Sequence, residues 1–299
     1  MLGLTLYGLS LILTGFSQNF LQLIIFRVLQ GVGLGIFGPA SLGLVAQVKE
    51  KGRGFAFYRT ANSLGLMLAP VIGGIVGNIN LTYPFILGGL ISLSAITSIF
   101  HVHDLRNHEP RREKFLSSLR GIGLTKKIIL MRLATFAVEL AFASLEIVVP
   151  LFGSGRGLSL ASIGIVLSSY FIAFTLFQIP IGIVSEKINR KALIIICSFA
   201  GALQFILLSY CNDVAAMSLS LGALGVTLGT VFVQSSALIA DVAPEDEKSL
   251  YMAFFDSIID YSFVVGPLIT TYALTCAPIA PFIICTFPMI TAGIIFMKA

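Results

Sequence analysis

The apolar runs of this chain are too long and too lightly interrupted for a fold in water. Residues 2–14, 128–137 and 281–297 are almost free of charge, and comparable runs follow one another along the 299 residues. A soluble surface takes about a quarter of its residues charged. Here 11% are charged and 57% hydrophobic, with a mean hydropathy of +0.97. Crossing hydrocarbon takes roughly 20 apolar residues per helix. A barrel would instead show short strands alternating apolar and polar, a pattern this sequence lacks. Backbone groups in lipid must be satisfied within the spanning element, which leaves helices. The expected fold class is therefore an all-α, multi-pass membrane protein.

Polar breaks divide the chain into ten expected spans: 2–18, 20–46, 54–78, 82–102, 128–152, 160–185, 191–210, 214–242, 249–274 and 279–297. The formal net charge of +5 reads as membrane topology rather than as a nucleic-acid surface, because cytoplasmic loops gather Lys and Arg. If the first span runs outward, Lys49, Lys51, Arg53, the bases between Arg106 and Lys127, Lys187, Arg190, Lys191, Lys248 and Lys298 all fall inside. Only Arg156 falls outside, and the links 77–83 and 211–213 carry no base. A slip of one span would scramble this bias. The expected organisation is a four-span bundle over 1–102, a cytoplasmic linker over 103–127 and a six-span bundle over 128–299. His101, His103 and His108 gather at the start of the linker, but their spacing is too loose for a metal site. Cys197, Cys211, Cys276 and Cys285 show no metal or redox spacing and read as packing residues. The N-terminus lacks the basic start and cleavage site of a secretory leader. No cofactor is expected.

The two halves repeat one another. Ala56-Phe57-Tyr58-Arg59, leading to Ala69-Pro70, matches Ala253-Phe254-Phe255-Asp256, leading to Gly266-Pro267, at a constant offset. Gly31 and Gly35 correspond to Gly225 and Gly229, and Ala46 to Ala243. The last four spans of the second half thus match the four of the first, so the first half is expected to be short of two helices at its N-terminal side.

Three motifs lie on this frame. The second span reads Arg27-Val-Leu-Gln30-Gly31-Val-Gly33-Leu-Gly35. Its Gly31, Gly35, Pro39 and Gly43 recur every four residues, a ladder expected to allow close helix packing, with Arg27 one turn earlier. A guanidinium within a span faces a partner or water; a fixed ion pair and a coupling role are both consistent with the position. The third span carries Gly65, Ala69, Pro70, Gly73 and Gly74, a second small-residue ladder with a proline bend. The link after the sixth span reads Gly182-Ile-Val-Ser-Glu186-Lys187-Ile-Asn189-Arg190-Lys191. There Asn189 suits a turn needing positive φ, and Glu186 can cap a helix or pair with Arg190.

Together these motifs resemble the major facilitator superfamily. The 27–35 run is similar to its fourth-helix arginine motif, 65–74 to the fifth-helix G-x-x-x-G-P-x-x-G-G motif seen mainly in antiporters, and 182–191 to the second-half gating loop. Ala69 for glycine, Glu186 for aspartate and Asn189 for glycine depart from the pattern. The resemblance covers the whole chain as helices three to twelve of twelve. It implies a monomeric transporter in the plasma or inner membrane. Such a protein works by alternating access, and the implied first helix would line the cavity and carry a coupling carboxylate.

Four acids fall within spans. Glu139 and Glu146 are seven residues apart, about 10 Å along one helix face. Asp256 and Asp260 are four apart, about 6 Å. Glu139 and Asp260 are expected nearest mid-membrane. A carboxyl in low dielectric releases its proton at higher pH than in water, which is what proton antiport requires. Gln178, Gln204, Gln234 and Tyr170 are candidate polar contacts for a substrate, and each also suits helix packing. The sequence offers no nucleophile–base set and no nucleotide loop, so an enzyme is not expected. The expected function is export of a small organic molecule, drug-like or a metabolite such as a siderophore, by exchange for protons. The alternatives are proton-coupled nutrient uptake and a truncated product that does not transport.

Overall fold

The computed structural model describes residues 1–45, 51–99, 126–185, 188–243 and 248–298, apart from a few side chains, that of Asp256 among them. The described residues form helices α1 (Leu2–Gly15), α2 (Phe20–Val45), α3 (Lys51–Ile79), α4 (Tyr83–Ile99), α5 (Lys126–Gly155), α6 (Leu160–Ser185), α7 (Arg190–Tyr210), α8 (Val214–Val242), α9 (Lys248–Cys276) and α10 (Ala280–Lys298). Their ends fall within a few residues of the expected spans. Seven described stretches are long and apolar enough to cross a bilayer. The helices α1 and α4 are apolar but shorter, 14 and 17 residues, about 21 and 26 Å against roughly 30 Å of hydrocarbon.

The chain divides into two compact units, Met1–Pro110 and Arg111–Ala299. In the first, α1 packs on both α2 and α4, while α3 lies more loosely against α4 and α2. Glycines set the close approaches. A Cβ at Gly33 would meet the Tyr7 backbone nitrogen at 2.7 Å and the Gly3 carbonyl at 2.8 Å, and one at Gly8 would meet Leu93 of α4 at 2.9 Å. Lipid supplies no hydrophobic drive between helices, so such backbone contacts carry the packing.

In the second unit α5 touches α6, α8, α9 and α10, and the most extensive pairing is α6 with α8. Gly225 of α8 lies directly on the Tyr170 carbonyl of α6, and Gly229 on the Phe174 ring. Gly266 of α9 sits against the Leu140 carbonyl and the Ser144 hydroxyl of α5. Between α5 and α6 the chain reverses at Gly157, whose φ of 77° suits glycine. The Asp213 carboxylate caps α8 by accepting from the Ala216 N–H at 2.9 Å. Asn189 does not take the positive φ expected of it. It is extended at φ −60°, and its side-chain oxygen caps α7 by accepting from Lys191 and Ala192. Capping satisfies the orphan N–H groups of α7 and needs no left-handed residue.

Candidate functional site

Three titratable residues within the span of α5 share one face. Arg132, Glu139 and Glu146 recur every seven residues, a spacing that drifts only about 20° around the helix per step. Exposure changes along that face: Arg132 is half-buried, Glu139 is 5% exposed and Glu146 is exposed. Tyr170 is a buried residue of α6. Tyr170 stacks on Phe142 of α5 at 5.1 Å between centroids and on Phe174 at 6.0 Å. Phe142 in turn meets the edge of Phe263 on α9 at 5.6 Å. Phe174 continues to Phe232 of α8 and Phe232 to Phe255 of α9. An aromatic chain therefore crosses four helices beside the two α5 carboxyls. Arg132 is not among the residues that the sequence singles out as candidates. Its place in the seven-residue series is the signal that could have found it.

Asp260 is separate from this cluster. It is exposed on α9. Helices α5 and α9 run the same way by their parity, and Gly266 contacts Leu140, an offset of 126 that sets Asp260 level with Ala134. That is five residues, about 8 Å, before Glu139 along the axis. Asp256 lies outside the described side chains. Gln234 of α8 is 0% exposed, and neither its amide nitrogen nor its oxygen has a hydrogen-bond partner. Gln178 is half-buried. Gln204 accepts a 2.8 Å hydrogen bond from the Thr227 hydroxyl, tying α7 to α8.

In the first unit the Arg27 Nη1 donates to Gln30 Oε1 at 3.3 Å, and its guanidinium lies 5.9 Å from the centroid of the Phe85 ring of α4. The ladder Gly31, Gly35 and Gly43 does not pack as expected: a Cβ at any of them would meet nothing within 4 Å. The packed glycine is Gly33, and with Gln30 it lies on the side of α2 that faces α1. Gly65 and Gly73 of α3 also face open space, Ala69 is exposed, Pro70 is half-buried and Gly74 is buried. The repeat accounts for both departures. Gly225 and Gly229, the counterparts of Gly31 and Gly35, sit on α6. Gly266, the counterpart of Ala69, sits on α5. Among the described residues, the first unit has no helix in the places of α5 and α6.

At the link between α6 and α7, Arg190 pairs with the Asp241 carboxylate at the end of α8. Asp241 carries no mark in the sequence either, because a pairing 51 residues away leaves no local pattern. Gly182 has open space around it and Lys191 is half-buried, while Glu186 and Lys187 lie outside the described residues. So do His101, His103 and His108. Among the described residues no three His, Cys, Asp or Glu side chains gather as a metal site would need. The cysteines are unpaired; Cys285 is buried and Cys197 and Cys211 half-buried, but Cys276 is exposed, so the packing role expected of all four does not extend to it.

A family profile described as Major Facilitator Superfamily matches residues 1–160 and 131–299. The "Uncharacterized MFS-type transporter MJ1560" of Methanocaldococcus jannaschii is 26% identical over 177 residues, covering 58% of this chain and 46% of that protein. "Multidrug resistance protein 2" of Bacillus subtilis is 24% identical over 217 residues, covering 68% of this chain and 54% of that protein. "Quinolone resistance protein NorA" of Staphylococcus aureus is 30% identical over 107 residues, covering 34% and 28%. The chain spans about half the length of the first two of these proteins.

Proposed function

The chain belongs to the Major Facilitator Superfamily, and from that membership we propose that the complete protein is a secondary active transporter exporting a small organic molecule in exchange for protons. The observation that carries this reading is the α5 face, where buried Glu139 and exposed Glu146 flank Phe142, a member of the aromatic chain that crosses four helices. A carboxyl able to reach both a sheltered and a wetted setting can carry one proton per cycle. The rings of Phe142, Tyr170 and Phe263 offer a flat apolar solute its contact area. Proton and solute then compete for one cavity, and rocking of two helical halves alternates its access. The names of the relatives from Bacillus subtilis and Staphylococcus aureus, which concern drug resistance, favour export of drug-like compounds over a siderophore.

The test is a pH jump across proteoliposomes holding the complete protein and a fluorescent drug-like cation. Outward flux driven by the inward proton gradient is the expected outcome. Flux indifferent to the gradient removes the coupling, and accumulation in right-side-out vesicles converts the reading to uptake.

A further inference from the structure

Arg27 sits among helices that carry no carboxylate: residues 1–45 and 51–99 contain neither Asp nor Glu. What holds its guanidinium in this unit is an amide and an aromatic ring. The amide belongs to Gln30, which is 6% exposed, and its two ends do different work. The oxygen accepts from Arg27 Nη1 at 3.3 Å. The nitrogen donates to Thr14 Oγ1 at 2.6 Å and to the Ser10 carbonyl at 3.3 Å, both on α1.

The direction of this amide is forced. The Ser10 carbonyl can only accept. Thr14 donates its single hydroxyl proton to that same carbonyl at 2.8 Å, so toward Gln30 it has only lone pairs to offer. Both groups therefore require the NH2 end, and the carbonyl end must face the arginine. A flipped amide would set its oxygen against two acceptors and its NH2 against a cation.

We propose that Gln30 is the positioning residue of Arg27, with Thr14 and Ser10 fixing which end of its amide the guanidinium meets. The Phe85 ring lies 5.9 Å from the guanidinium. One N–H of Arg27 is thereby anchored, and the remaining donors of the fork are held in one orientation toward whatever anionic or polar group approaches. The functional weight of this arrangement rests on the transport reading above; the geometry itself does not.

Two measurements separate the two. The first is side-chain NMR of the 15N-arginine-labelled full chain in lipid nanodiscs, with Arg27 assigned through Arg27→Lys. An anchored guanidinium shows separate Nη signals, and a rotating one shows an averaged signal. The expected result is separate signals in the parent and averaging in Gln30→Leu, which removes the acceptor facing Arg27. Thr14→Val, which removes only the hydroxyl, is expected to broaden the Arg27 signals without unfolding the chain. Averaged signals in the parent, or separate signals surviving in Gln30→Leu, overturn the proposal. The second measurement is proton-driven flux by the complete protein. Gln30→Leu is expected to lower the maximal rate about tenfold, the scale of one hydrogen bond to a charged group, with the substrate KM unchanged and the pH profile displaced. A raised KM at unchanged maximal rate makes Gln30 a substrate contact and overturns the positioning role. Absence of flux in the parent defeats the transport reading, while the NMR signals still decide whether Gln30 anchors Arg27.

Discussion

A charge inside an apolar run stands out in a sequence, because its desolvation cost demands a reason. Arg27 and Glu139 stand out in this way, and the structure sets each among polar or aromatic partners. Residues whose role depends on a partner far along the chain leave no such mark, and Gln30 and Asp241 belong to that class. Gln234 was legible as a polar residue within a span but not as a fully enclosed one. Its amide has no hydrogen-bond partner, and an unsatisfied buried polar group costs about 1–3 kcal/mol. Gln234→Met, close in shape and without that penalty, is expected to leave the thermal unfolding midpoint unchanged or raise it; a clear fall would show that the amide is satisfied by a bound water. Glu139→Gln keeps a hydrogen-bonding group of the same size and removes the proton site. Its expected effect is loss of gradient-driven flux with substrate counterflow retained, read from the two assays in parallel.

Within α2 the sequence advertises one face and the fold uses another. Gly31, Gly35, Pro39 and Gly43 step by four residues, and at the three glycines of this row a Cβ would meet nothing within 4 Å. Gln30 and Gly33, three residues apart, stay on the side that meets α1. The two kinds of glycine are separable by experiment. Gly33→Ala places a methyl group 2.7 Å from the Tyr7 backbone nitrogen and is expected to destabilise the chain by about 1–3 kcal/mol, the range for overpacking. Gly35→Ala has open space and is expected to be neutral or to stabilise by up to about 1 kcal/mol through helix propensity. Detergent-melt midpoints of the two variants check both, and equal losses would mean that α2 packs on a different face. The helix count and the repeat were readable from periodicity and offset. Which small residues touch was not, because that depends on the helices available nearby, and here the two halves differ.

For the molecule as a whole, the asymmetry of basic residues is expected to place the α7–α8 link and the end of α9 on the outer side. Cys211 and Cys276 lie at those two places. A membrane-impermeant maleimide applied to intact cells is expected to label both, and to spare Cys285, which is buried. Labelling from the cytoplasmic side alone would invert the topology. Partial burial, together with the nearby Asp213 carboxylate, pushes the Cys211 thiol up, against opposing effects of Ser220 and Arg156. The thiolate is the reactive form, so near neutrality Cys211 is expected to react slowly and to gain about tenfold in rate per pH unit while mostly protonated.

The seating of α8 on α6 has a mechanical consequence. Gly225 rests on the backbone of α6 and Gly229 on a ring of the same helix, so side chains that rotate offer little cushion between the two axes. A joint of this kind has almost no play. Motion of α8 is then expected to carry α6 with it. A side chain at either glycine would act as a shim between the two helices.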